Sequence, residues 1–589
     1  MMNYITLKSC SLLVGMGDFA NYGGWALDTQ FVTTMGVPYL LAHGLGTPVS
    51  DAQTDIKFPK TGEYVAYVYT YNWVAPWKPE YAPGVFEIFV GGEKLKAPLD
   101  SQFGKVRTSW GWEKGGSIEI SDLQTTLALH DLTGFEGRCG LVFFTQDADF
   151  TPPDEIDELI RFFKAMTNNE EYDLRETYDY IVAGAGISGM CSALAAARQG
   201  LRTLLVQDRP VVGGNNSSEV RVWLGGGIKY EPFPGVGNIV AEFEQEKAVN
   251  YGCENVAELY EDDRKLALLL GEKNLTLLTG HIVSDVFAED MSIRSIEVFD
   301  VLKCRYKLFS APLFADCTGD STLGHLAGAD YEVTTNGHMG MTNVWYVEDT
   351  GDTQKFPRCP WAMDLREVNF PGRSGVRDIY NQLGELSMGC WFWESGMEHD
   401  PIAKAEYARD TNFRAMYGAW DCLKNTDGSY KTYRLGHSSH IAGKRESRRL
   451  FGDVVLTKSE VYSGKIFEDA CVPSTWNFDV HYPDPRFYAA FHEGDAFLTK
   501  DYHEKFKNPY FIPYRCLYSR NVKNLFMAGR NVSVSHEALG TVRVMRTCGM
   551  MGEVTGYAAK ICNRHGVLPR DVYRDYLNEF IDMLKALPA

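Results

Sequence analysis

Two spacings of apolar residues divide the chain. Up to residue 150 they recur in short alternating runs, as in EYVAYVY over 63–69 and VFEIFV over 85–90. Glycine turns separate the runs, at Lys60-Thr61-Gly62, Gly91-Gly92 and Lys114-Gly115-Gly116. Alternation marks strands with one buried face, and regular turn signals predict an antiparallel β-sandwich over residues 1–150. Pro152-Pro153-Asp154 then opens DEIDELIRFFKAM, with proline and acidic residues suited to a first helical turn. A connecting helix is expected within 151–173, and the polar stretch 167–173 leads out of it. From residue 178 the pattern changes to an apolar run (YIVA), a glycine-rich turn, an alanine-rich helix and a second apolar run (TLLV). That is half of a βαβ unit, and it predicts an α/β, Rossmann-like domain.

The glycines of GAGISG have separate jobs. Gly184 makes the tight turn, Gly186 lets backbone approach a pyrophosphate, and Gly189 lets helix and strand pack closely. The helix opens at Ile187-Ser188, and its N–H groups face the same pyrophosphate. At the end of the second strand the usual acidic ribose ligand is replaced by Gln207, with Asp208 next to it. Downstream, Gly213 and Gly214 permit close backbone approach, and Asn215, Ser217 and Ser218 offer polar side chains to a phosphate or ribityl chain.

Three strand-like runs over 274–316 suit a β-meander inserted in this domain, which is expected to span 174–335 in its first part. The last run ends in ADCTGD, where Cys317, Thr318, Gly319 and Asp320 form a turn capping a following helix. Residues 336–510, rich in Trp, Tyr and His, read as an α+β substrate or cap domain. The nucleotide-domain pattern returns over 511–589, with a strand before Ala528-Gly529-Arg530-Asn531 and a helix over 541–561 that holds Gly549, Gly552 and Gly556.

Net charge of −19 argues against nucleic-acid or anionic-membrane partners. No apolar run reaches the ~18 residues of a spanning helix. The first residues lack a signal-peptide core, and the 13 cysteines are scattered without a CxxC pair. A cytoplasmic protein is expected; the alternative is an exported one whose signal has been removed.

These segments resemble the flavin-dependent oxidoreductases of the glutathione-reductase-like superfamily, and more narrowly a bacterial FAD-dependent family with an N-terminal β-sandwich. The matching blocks are GAGISG, QDRPVVGGNNSSEVRV, ADCTGD, GKRESRRLFGD and the long run from Ile512 to Glu553. The resemblance implies FAD, with adenosine on the first βαβ unit and the AGRN segment near the ribityl chain and ring. Carried over, it makes Gly184, Gly186, Gly189, Gln207, Gly214, Asn215, Ser217, Thr318, Gly319, Gly529 and Arg530 cofactor contacts, with Ser218, Arg221 and Val283 beside them. It implies that a helix starting near Gly540-Thr541 aims its N–H groups at the flavin. No second GxGxxG unit follows, so electrons are expected to come from or go to an external donor or acceptor.

A flavin dehydrogenase needs a base for the departing proton. His536, six residues past Arg530, is the first candidate; a structural role bonding a carbonyl is the alternative. His437, His440 and His481 in the cap region come second. Lys444 to Arg449 is the most cationic run, and on a helix Arg445, Arg448 and Arg449 share a face that suits an anionic group or simple ion pairing. Arg543 and Arg546 pose the same choice. Trp25, Tyr71, Trp73, Trp77, Trp110 and Trp112 either stack on sugars or fill the sandwich core. The expected activity is hydride transfer between FAD and a polar small molecule such as a sugar or glycoside hydroxyl. Three alternatives stay open: a lyase or isomerase without net redox, a fumarate-reductase-like reductase of an unsaturated acid, and a non-enzymatic carbohydrate-binding protein.

Overall fold

A computed structural model describes residues 7–96, 101–167, 173–246, 255–488, 495–505 and 509–589. The polar linker over 168–172 and the first six residues of the N-terminal stretch lie outside that set. At the centre is a five-stranded parallel sheet, ordered Leu275–Thr279, Thr203–Gln207, Tyr180–Ala183, Leu313–Asp316, Leu525–Met527. The three middle strands are buried at every position, which is why their sequences are continuous apolar runs and do not alternate.

Helix Ile187–Arg198 lies on one face of this sheet, and the long helix Met545–His565 packs against it. Glycine sets the distance between them. A methyl on Gly552 would sit 2.0 Å from the Ser188 carbonyl oxygen, and one on Gly556 would sit 2.5 Å from that of Ser192.

The inserted meander consists of His281–Glu289, Ser292–Asp300 and Arg305–Ser310, with Asp173–Thr177 pairing parallel at its edge. Two details differ from the sequence expectation. The run at Leu275 belongs to the central sheet, and the run over 307–314 is two strands, separated at Pro312, which has no N–H to donate.

The N-terminal region carries two four-stranded antiparallel sheets and a three-stranded one. One core joins the two larger sheets, with Val68, Val142 and Phe144 from the first and Phe86, Ile88 and Leu129 from the second. Trp25, Tyr71, Trp73 and Trp112 are buried, and Trp110 stacks on Tyr69. These rings fill core. The connecting helix Ile156–Met166 buries Phe162 and Phe163 between Phe143 of the N-terminal sheets and Phe299 of the meander. Helix Ala405–Asp421 is buried along nearly its whole length.

The cationic run is not helical. Gly443–Lys444 pairs with Met341–Thr342, and Arg449–Leu450 pairs with Tyr331–Glu332. The i, i+3, i+4 spacing of the three arginines therefore does not align them as it would on a helix. Among the described residues no helix is long and apolar enough to cross a membrane.

Candidate cofactor cavity and active site

At the carboxyl ends of the central strands the chain turns on glycines. Gly184 sits at φ +92°, and a Cβ there would lie 2.5 Å from the Cys317 carbonyl oxygen. A Cβ on Gly189 would lie 1.7 Å from the Gly184 carbonyl oxygen, so helix and turn close only because both are glycine. Across from them Gly213 (φ +106°) and Gly214 (φ +63°) form a second loop, bridged to Gly186 by backbone. A Cβ on Gly186 would meet only the Gly214 Cα, at 3.9 Å. Two bare backbone loops thus face each other over the N-terminus of helix Ile187–Arg198, whose cap residue Gly186 has no side chain to occupy the N–H groups. Such a slot suits a pyrophosphate.

A cavity of about 470 Å³ runs through this slot. One end is walled by Val206, Gln207, Asp208 and Val283. Its middle holds Gly184, Gly186, Ile187, Ser188, Gly213, Gly214 and Asn215, opposite Cys317, Thr318, Gly319, Asp320, Gly529 and Arg530. Asp316 anchors that opposite loop: its carboxylate accepts from the N–H and hydroxyl of Thr318 and from the N–H of Gly324. Thr318 in turn accepts from the N–H of Thr322, so the ADCTGD turn does cap the short helix after it. Asp320 pairs with Lys444 at 2.6 Å and Arg530 at 2.7 Å. Burial raises its pKa, but these two cations outweigh burial and hold the carboxyl below the usual range.

The far end is chemically richer. Strand Phe478–Pro483 alternates Asp479 and His481 onto one face, and both line the cavity with Trp391, Arg445 and Arg543. His481 Nδ1 lies 2.8 Å from Glu394 Oε2, and its Nε2 lies 3.1 Å from Asp479 Oδ1 without hydrogen-bond geometry. Arg445 donates to Thr342 Oγ1 at 2.7 Å and to the Trp391 carbonyl, and stands 3.4 Å from Glu394. Arg543 pairs with Asp479 at 3.1 Å. Burial pulls the His481 pKa down, yet the carboxylates of Glu394 and Asp479 leave it raised above its ordinary value. Burial alone would raise Glu394, but Arg445 and His481 bring it to about 2. The indoles of Trp223 and Trp476 also line the cavity, with ring centroids 6.3 Å apart.

Several expected contacts are bonded to other parts of the protein. Gln207 borders the cavity, but its amide is committed: Oε1 accepts from Ala185 N–H and Nε2 donates to the Val211 carbonyl. Ser217 donates to the Gly214 carbonyl and braces the loop, while the Ser218 N–H donates to Asp262. Arg221 donates to the carbonyls of Ser218 and Asn255. Gly540 and Thr541 sit in the last turn of helix His536–Val542, so they present no helix start. The C-terminal helix that starts on the cavity is Met545–His565, where Val544, Met545 and Cys548 are lining residues.

His536 is not a lining residue; its Nδ1 bonds the buried Glu446 carboxylate at 2.9 Å. Its partner is thus a carboxylate and not a backbone carbonyl. Arg448 lines the cavity but donates to the Asp320 carbonyl and lies over the Tyr331 ring. Arg449 is committed to Glu446 and Glu332. His437 and His440 are not lining residues either, and burial lowers them to about 2 and about 4, so both stay neutral. Glu394, Asp479, Trp391, Trp223 and Trp476 were not anticipated. The Asp479-x-His481 alternation within an apolar strand was the available signal.

The cavity fits a flavin dinucleotide. Its two glycine loops leave room only bare backbone leaves, and the buried Arg530 Nε, Arg543 Nε and His481 Nε2 have no hydrogen-bond partner among the described residues. A glycine-cradled cavity at the carboxyl ends of a parallel sheet, with a histidine–carboxylate cluster at its far end, defines a dinucleotide-cofactor enzyme. The chain belongs to the FAD dependent oxidoreductase family, whose model matches residues 179–584; it is a flavoenzyme with FAD as cofactor.

No curated protein matches the sequence. Solved structures similar to it include the FrdA chain of E. coli quinol fumarate reductase, at 10% identity and TM-score 0.32, covering 69% of this chain and 74% of that one. Another is a geranylgeranyl bacteriochlorophyll reductase-like protein from Thermoplasma acidophilum, at 13% identity and TM-score 0.33, covering 70% and 83%. A third is the myxobacterial chondrochloren halogenase, at 12% identity and TM-score 0.32, covering 69% and 79%.

Proposed function

We propose that the protein is a dehydrogenase that oxidises a hydroxyl-bearing polar small molecule, of the sugar or glycoside class, at the Trp391–His481 end of the cavity. The observation that carries this reading is His481: buried, in the cavity wall, its Nδ1 held by Glu394 and its Nε2 without a hydrogen bond. Oxidation of an alcohol removes a hydride from carbon and a proton from oxygen. FAD, when bound, supplies the hydride acceptor. With Nδ1–H donating to Glu394, the His481 Nε2 lone pair takes the hydroxyl proton, and Asp479 stabilises the resulting imidazolium. Arg445 and Arg543 hold substrate oxygens, while the indoles of Trp223, Trp391 and Trp476 offer flat apolar faces of the kind that stack on a sugar ring. The N-terminal sheets fit a β-sandwich, and their inward rings support a structural role over sugar capture. The glutathione-reductase-type nucleotide domain belongs to the same reading, as does an external electron acceptor.

One observation favours a second reading. Arg445 and Arg543 line the same end, and a pair of guanidinium groups suits a substrate carboxylate, as in a reductase of unsaturated acids. Anaerobic titration separates the two. The purified protein is expected to be yellow, and a sugar or glycoside from a panel that includes uronic acids is expected to bleach it. Reoxidation of the reduced protein by enoates, with no bleaching by any sugar, would select the reductase. A colourless protein that takes up no flavin sinks both.

A further inference from the structure

The matched family region begins at residue 179, yet one wall of the cavity comes from far upstream. Thr29, Gln30, Phe31, Thr33 and Thr34 line it, in the segment between strands Ala26–Asp28 and Tyr39–Ala42. The segment is held on two sides. Thr29 Oγ1 donates to the Asp208 carbonyl at 3.0 Å, just past the strand end where a dinucleotide-binding sheet receives its nucleoside. Gln30 Nε2 donates to the His440 carbonyl at 2.9 Å, and Gln30 Oε1 accepts from Ala442 N–H at 3.0 Å. Behind it, Asp28 pairs with Arg409 at 2.7 Å, and the same guanidinium lies 4.8 Å from the Phe31 ring centroid. With its base fixed this way, Thr33 is left exposed on the cavity wall. Gln207, the residue the strand end offers to a ribose, has both ends of its amide occupied by backbone. Each end of that amide keeps one further hydrogen-bonding position, and contacts from other residues add to it.

We propose that residues 29–34 form a nucleoside-binding wall of the FAD site, which makes the N-terminal sheets part of the cofactor site and not a separate module. This rests on the FAD reading and adds to it the identity of the adenosine end. The test is to titrate deflavinated wild type and Thr33→Trp with FAD and with FMN, which lacks the adenosine, following flavin fluorescence. A bulky ring at this wall is expected to weaken FAD by about tenfold or more, and to leave FMN unchanged. Thr33→Trp that binds FAD as tightly as wild type overturns the wall, as does equal weakening of both flavins. Wild type that binds neither flavin brings down the FAD reading itself, and the wall with it. Should the variant fail to fold, hydrogen exchange on the unmodified protein decides. Amides of residues 30–34 are expected to slow with FAD but not with FMN, and no slowing overturns the proposal.

Discussion

On the proposed reading, the charge state of His481 sets the pH dependence. Its folded-state pKa is raised: burial works against the cation, but Glu394 and Asp479 outweigh it. A base must be neutral to accept a proton, so flavin reduction by an alcohol is expected to rise with pH through an apparent pKa above that of an ordinary histidine. Stopped-flow reduction rates across the pH range check this. His481→Asn removes the base and is expected to slow reduction by about 10²–10⁴-fold with FAD content unchanged. Glu394→Gln replaces the carboxylate with a neutral amide, so the rising limb should move to lower pH. A profile that stays in place would mean that Glu394 does not face the titrating group. His536, by contrast, bonds Glu446 outside the cavity lining, and His536→Gln is expected to leave the limb where it is.

Helix Met545–His565 approaches helix Ile187–Arg198 so closely that glycine is the only residue some positions admit. In an open helix, Gly→Ala gains up to ~1 kcal/mol from propensity. At Gly552 the new methyl would lie 2.0 Å from a backbone carbonyl oxygen, which no rotamer change relieves. The clash wins, and Gly552→Ala is expected to lose about 1–3 kcal/mol in stability. Lower melting temperature and weaker flavin retention are the readouts, since Ser188 lies on the cofactor slot.

These glycines also show what the sequence made legible. GAGISG announced its strand, turn and helix because every contact it needs lies within a few residues or one strand pairing away. ADCTGD was readable for the same reason, its caps being Asp316 and Thr318. The cationic run was misread because strand pairing with Met341–Thr342 and Tyr331–Glu332 overrides the spacing of its arginines. The His481–Glu394 pair was not legible because its two members lie far apart in sequence and Glu394 sits on a strand only two residues long. Gln207 was read from position alone, and only the fold shows that Ala185 and Val211 already occupy it.

The N-terminal sheets and helix Ala405–Asp421 are joined through buried charge. Arg138, on strand Gly137–Cys139, pairs with Asp410 at 2.6 Å and Glu406 at 2.8 Å on helix Ala405–Asp421, and donates to Tyr71 OH at 2.9 Å. Arg409 answers from that helix, reaching Asp28 at 2.7 Å and Tyr39 OH at 2.8 Å. Both guanidiniums are fully buried. Such a network adds little over an apolar one of equal volume, but deleting one member strands its partners in a dry interface, at a cost of about 3–5 kcal/mol. Arg138→Met should therefore destabilise the chain severely. Arg198→Met, which breaks the Arg198–Glu242 pair at the surface, should change stability by less than about 1 kcal/mol. A chain of this size need not unfold in one step, so the comparison is best made on the temperature of flavin release. The same network positions residues 29–34 against the cavity, because Asp28 and Phe31 both rest on Arg409. Arg138→Met is expected to release flavin well below the wild-type temperature, while Arg198→Met tracks wild type. If Arg138→Met held its flavin as long as wild type, the N-terminal sheets would be resting on helix Ala405–Asp421 without supporting the cofactor site.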